Sequence, residues 1–171
     1  VYISNPGGNM DVYLTTVHGR QPLRLTQSPS HDSAPSWSRD GSWIYFGSNR
    51  EGGFQVWKMR PEPGAKAVRV TKGGGYAALE SADGKTLYFA RVVGGFSVWK
   101  VPTAGGEETP VVPGIPNWGA FDVTSTALYY LTTDGRRHLL RRLRFADGAD
   151  EILATLGKPG MFGVAAAPDD S

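Results

Sequence analysis

The sequence predicts an all-β fold, a β-propeller of four-stranded antiparallel blades with four repeats in the chain, on three observations. There is a repeat of about 43 residues, an Asp-Gly turn recurs at a fixed place within it, and no window sustains the 3.6-residue apolar spacing of a capped helix. The segment SAPSWSRDGSWIYFGSNREGGFQVWKMR at 33–60 returns as YAALESADGKTLYFARVVGGFSVWKVP at 76–102. Tyr45 and Tyr88, Phe46 and Phe89, Asp40 and Asp83, and Gly41 and Gly84 lie 43 apart, and Trp57 and Trp99 lie 42 apart. A third, more divergent copy is GAFDVTSTALYYLTTDGRRHLLRRLRF, and part of a fourth opens the chain as VYISNPGGNMDVYLTT. A β-sandwich would account for the strands but not for a four-strand superperiod.

Within the second repeat the expected strands run around Pro35 to Ser38, Ile44 to Gly47, Gln55 to Met59 and Val68 to Thr71. Asp40-Gly41 separates the first two, because Gly accepts the positive φ of a tight hairpin turn, and Asp83-Gly84 repeats the signal. The second strands are apolar at successive positions, as in Leu87-Tyr88-Phe89-Ala90, which fits a strand covered on both faces by neighbouring blades.

The two ends of the chain read as complementary halves. VAAAPDDS has the form of a first strand with its turn, and Val1 to Ser4 that of a second strand. Set end to end, PDDS and VYIS align with TSTA and LYYL at 124–131. The expectation is a single domain, 1–171, with one blade split between the termini. Its repeats are then 1–32 with 163–171, 33–75, 76–117 and 118–162. The other reading is an arc cut from a larger propeller.

Composition limits the function classes. In a chain of 171 residues that is 40% hydrophobic, Gly 23 and Pro 12 match many tight turns in an ordinary globular protein. Eighteen basic against sixteen acidic residues leave no overall field that would select a nucleic acid or an anionic membrane. There is no cysteine, hence no disulfide or thiolate chemistry, and no apolar run reaches the roughly 20 residues a spanning helix needs, so no membrane insertion is expected. The opening residue Val1 suggests a processed or excised chain.

No catalytic constellation is read. There is no G-x-S-x-G elbow, and His18, His31 and His138 fall in different repeats without shared spacing. The acidic pairs Glu107-Glu108 and Asp169-Asp170 do not form a metal loop, Gly73-Gly74-Gly75 precedes no helix that would receive a phosphate, and no cofactor is expected. In GRRHLLRRLRF at 135–145, strand alternation puts Arg142 and Arg144 on one face and Arg141 on the other, so the run reads as solvated or ion-paired rather than as one basic side.

The run APSWSRDGSWIYFGSNREGGFQVWKM followed by RVTKG resembles the TolB-type propeller repeat, with its Trp-Ser-x-Asp-Gly turn, Ile-Tyr-Phe strand and Ser-Asn-Arg loop. ESADGKTLYFAR and PNWGAFDVTSTALYYL resemble the propeller regions appended to bacterial winged-helix regulators. The resemblance implies a bacterial protein-interaction or sensor domain, periplasmic or otherwise extracytoplasmic, and no catalytic residue. It leaves an alternative, the accessory propeller of a larger regulator or serine peptidase. Trp118 to Leu131 lacks the Asp-Gly turn, and the Ser48-Asn49-Arg50 loop is not repeated at Ala90-Arg91-Val92.

Binding of a protein or peptide is expected on the face where the loops converge, through Asn49, Arg50, Glu51, Phe54, Tyr76, Arg91, Phe96 and Trp118, with His31 and Asp32 beside them. Oligomeric state is not readable from the sequence.

Overall fold

The computed structural model describes residues 1–19, 21–157 and 163–167, and the expectations for Asp169-Asp170 and for the PDDS turn lie outside them. All regular structure among the described residues is β-strand. The strands are β1 (Tyr2–Ser4), β2 (Asp11–Leu14), β3 (Leu23–Arg24), β4 (Asp32–Trp37), β5 (Ile44–Ser48), β6 (Gln55–Met59), β7 (Val68–Arg69) and β8 (Tyr76–Glu80). They continue with β9 (Thr86–Val92), β10 (Phe96–Pro102), β11 (Thr109–Ile115), β12 (Phe121–Val123), β13 (Ala127–Asp134), β14 (Arg137–Arg144) and β15 (Asp150–Leu156).

Four antiparallel sheets result, ordered β1-β2-β3, β4-β5-β6-β7, β11-β10-β9-β8 and β12-β13-β14-β15. Sequential hairpins in every sheet are what the repeat requires. The chain divides into two compact units, Val1–Glu80 and Ser81–Ser171.

The Asp-Gly turn owes its shape to one side chain. Ser38 Oγ donates to Asp40 Oδ1 at 2.7 Å, the same oxygen accepts Ser42 N–H at 2.9 Å, and Trp43 N–H returns to Ser38 Oγ at 2.9 Å. Gly41 takes φ +70°, so the reversal has no steric cost. Ser81, Asp83, Lys85 and Thr86 rebuild the device in the next repeat at 2.6, 3.1 and 2.9 Å. In the repeat without Asp-Gly, Thr124 alone serves, its hydroxyl accepting Ala127 N–H at 3.1 Å.

In the first unit the core is Val12 and Leu25 against Ile44, Phe46, Trp57 and Met59. On its other face the β4–β7 sheet receives β8. Ser36 Oγ donates to Ala78 O at 2.5 Å, Arg39 N–H donates to Glu80 Oε2 at 2.6 Å, and Tyr45, 1% exposed, reaches Glu80 Oε1 at 3.4 Å. Gly47 lets this ring come close, since a Cβ there would lie 3.0 Å from Cδ2 of Tyr76, tighter than an ordinary contact. Ala34 and Ala77, 43 apart and both in first strands, adopt φ +48° and +38°, a left-handed conformation that alanine rarely takes. In the second unit Tyr88 stacks on Phe145 with ring centres 5.7 Å apart.

Among the described residues the first sheet has three strands. Residues 163–167 bond within the second unit, to β12 and the connection before it: Val164 N–H donates to Gly119 O at 3.2 Å and Ala166 N–H to Asp122 Oδ2 at 2.8 Å.

Candidate binding surface

The connection after β5 in the first unit carries Asn49, Arg50, Glu51 and Phe54. Ser48 Oγ accepts Arg50 Nε–H at 2.9 Å, and Arg50 Nη2 donates to both carboxylate oxygens of Asp32 at 3.0 and 3.1 Å. The guanidinium lies 5.2 Å from the ring centre of Phe46 and 4.9 Å from that of Trp57, in cation–π contact. Asp32 is fully buried, so this pair is desolvated on its acidic side.

Asn49 Oδ1 accepts the N–H of His31 at 2.9 Å, tying the loop to the residue just before β4. Glu51 pairs with Arg69 at 2.8 Å in the open. Phe54, 37% exposed, meets Tyr76 edge-on with centres 4.9 Å apart, and its carbonyl accepts Gly75 N–H at 2.9 Å. The hydroxyls of Tyr76 and Ser33 are 2.5 Å apart. Asn49, Arg50, Glu51, Phe54 and Tyr76 thus belong to connected loops and strand ends of one unit.

In the second unit Arg91 is ion-paired with Glu108 and lies 4.0 Å from the ring centre of Trp99 and 5.3 Å from that of Phe89. It repeats the stack of Arg50, and nothing in the repeat pattern foretold this. Arg50 stands four residues after Phe46 and Arg91 two after Phe89, and the acids come from different places, Asp32 within β4 and Glu108 just before β11. The pairs Phe46–Trp57 and Phe89–Trp99, each directly opposed across two strands, were the available signal. Phe96 is half-buried at the start of β10, opposite Val92 and Ile115. Trp118 is 45% exposed in a turn held by Asn117, whose Oδ1 accepts Gly119 N–H at 2.9 Å.

Four of the five arginines of the basic run are ion-paired: Arg141 with Asp150 at 3.1 Å, Arg142 with Glu151 at 2.8 Å, Arg144 with Asp147 at 2.8 Å, and Arg137 with Asp134. Tyr130 beside it is nearly buried, and that burial, with its hydrogen bond to Asp150, pushes its phenol up to about 12. His18 and His31 are exposed and His138 is half-buried on β14. No group of three metal-ligating side chains occurs among the described residues.

Residues 1–150 match the TolB beta propeller domain family. The chain belongs to that family. The Tol-Pal system protein TolB of Desulfosudis oleivorans is 36% identical over 52 residues, which is 30% of this chain and 12% of that protein. The structure of a TolB from Agrobacterium tumefaciens, described as putative, superposes with a TM-score of 0.75 at 20% identity, covering 90% of this chain and 60% of that one. A puromycin-hydrolysing peptidase of Mycobacterium tuberculosis superposes with a TM-score of 0.69 at 14% identity, covering 91% of this chain and 29% of the peptidase. This TolB-family chain therefore spans only part of the length of the proteins it matches, and its fold is shared with a peptidase as well as with TolB.

Proposed function

We propose that the chain is a non-catalytic binding module that takes a protein or peptide on its loop-side residues. The observation that carries this reading is the placement of large aromatic groups on fixed connections. Phe54 is braced by Tyr76 and Trp118 by the Asn117 turn, and both keep more than a third of their surface exposed. Rigid exposed aromatic rings beside polar groups are the usual composition of binding hot spots. Arg50 and Arg91 are occupied by internal acids and rings and act in this reading as braces for the loops. Peptides selected from a random displayed library against the intact chain test it. Affinity should fall at least tenfold on Phe54→Ala or Trp118→Ala with the β-sheet circular dichroism signal unchanged; equal binding by both variants would refute it.

A second reading is an accessory propeller of a larger enzyme or regulator. It is favoured by the likeness to a peptidase of which this chain covers only 29%.

A further inference from the structure

Asp-Gly steps stand at 40–41, 83–84, 134–135 and 147–148. An aspartate followed by glycine can close on itself, because with no Cβ on the second residue its backbone nitrogen comes within reach of the side-chain carboxyl carbon. Two restraints oppose closure: a hydrogen bond that holds the glycine N–H, and one that holds the carboxylate.

Three of the steps carry both. Gly41 N–H donates to Ser38 O at 3.0 Å, Gly84 N–H to Ser81 O at 2.9 Å and Gly148 N–H to Arg144 O at 3.0 Å. Each carboxylate accepts the backbone N–H two residues on: Asp40 from Ser42 at 2.9 Å, Asp83 from Lys85 at 3.1 Å and Asp147 from Ala149 at 3.1 Å. The Ser38 and Ser81 hydroxyls, with these N–H groups, hold Asp40 and Asp83 below the ordinary carboxylate range, and the Ala149 N–H does the same for Asp147. Little neutral acid, the form that can lose its hydroxyl, is then present.

Asp134 differs on both counts. It ends β13 opposite Arg137, and Gly135-Arg136 forms the two-residue loop to β14. Among the described residues Gly135 N–H has no acceptor, and the Asp134 carboxylate receives no backbone N–H. Its one partner is Arg137, in a pair exposed at 59% and 65%, a contact of the weak kind that water competes with.

We propose that Asp134-Gly135 is a self-modification site, where the chain rearranges to isoaspartate through a succinimide while the other three steps stay aspartyl. The nitrogen of Gly135 attacks Cγ of the protonated Asp134 carboxyl. An N–Cγ bond forms, and the acid's hydroxyl leaves with the N–H proton as water. Water then opens the ring at Cγ, which restores aspartate, or at the main-chain carbonyl carbon, which gives isoaspartate. One water is lost and one regained, and a methylene has moved from the side chain into the backbone. In a two-residue loop that added length breaks the pairing of Asp134 with Arg137.

The test is to hold the intact protein in neutral buffer for weeks, digest it and assay each Asp-Gly peptide. An isoaspartyl-specific methyltransferase with a labelled methyl donor reports the product, and chromatographic separation of equal-mass isomers confirms it. Label should enter the 134–135 peptide at least about tenfold faster than the other three, whose reacting atoms are held out of attacking geometry. Incubation in urea, which releases the restraints, should bring all four to similar rates. Asp134→Glu keeps a carboxylate for Arg137 but needs a larger ring, and should abolish the label at 134–135 in the folded protein. Equal rates at the four steps of the folded chain overturn the proposal, as does faster labelling at Asp40, Asp83 or Asp147. So does an unlabelled Asp134 after a time in which the urea-treated chain is labelled throughout, and so does a preference for Asp134 that persists in urea, which would place the cause in the local sequence.

Discussion

Arg50 holds the fully buried carboxylate of Asp32 with one nitrogen, at 3.0 and 3.1 Å, while its guanidinium lies within cation–π range of Phe46 and Trp57. Arg50→Ala strands that carboxylate without a counter-charge and should cost about 3–5 kcal/mol in urea unfolding. Arg50→Lys keeps the charge but loses the planar stack, so it should fall between wild type and alanine. A loss below 0.5 kcal/mol for alanine, on the scale of an exposed pair, would show that the pair is not structural.

Tyr88 should behave as a core residue despite its hydroxyl. Burial raises its phenol above the ordinary value, and its ring stacks on Phe145. Tyr88→Ala should cost about 3–5 kcal/mol. A double-mutant cycle with Phe145→Ala should return a coupling of about 0.5–1.5 kcal/mol, and additivity of the two losses would contradict the stack.

How far the sequence reports the fold is visible in β7. The strand was expected over 68–71, yet its ladder stops at Arg69, since Val70 and Thr71 both donate to the carbonyl of Val56 while the Thr71 hydroxyl takes Val56 N–H. A side chain has replaced a backbone acceptor, and apolar patterning carries no trace of that. The Asp-Gly hairpins were legible because a short-range turn and its serine cap lie within a few residues. The arginine stacks were not: Arg50 and Arg91 stood out only as residue types common at interfaces, and their acids sit at unrelated offsets.

Acid should weaken the fold partly through its turns. The hydroxyl of Ser38 and the N–H of Ser42 hold Asp40 down at about 2, below its ordinary 3.8, and Ser81 and Lys85 lower Asp83 in the same way. A carboxylate whose folded value is depressed contributes stability that is complete above its unfolded value and disappears as pH drops through the folded one. Denaturation midpoints should therefore fall between about pH 4 and pH 2, and less steeply in Asp40→Asn, whose side chain cannot titrate. Identical slopes for variant and wild type would remove the turn from the account.

The left-handed alanines predict that the usual glycine penalty is cancelled at their positions. Ala34→Gly and Ala77→Gly relieve backbone strain and should change stability by no more than about 0.5 kcal/mol in either direction. Ala90→Gly, in the fully buried middle of β9, should cost about 1 kcal/mol. Equal losses at all three positions, read from thermal melts, would rule the strain out.

Each arginine stack is self-contained: Asp32, Phe46, Arg50 and Trp57 lie on β4 to β6 and the connections between them, and Phe89, Arg91, Trp99 and Glu108 between β9 and the start of β11. A repeat that brings both its cation and its anion is a neutral cassette. Duplicating or exchanging such a segment moves the cation and its anion together, so the stack itself is carried whole. The same independence lets the anion come from either end of a repeat, as Asp32 and Glu108 do, because the guanidinium needs only a carboxylate within reach.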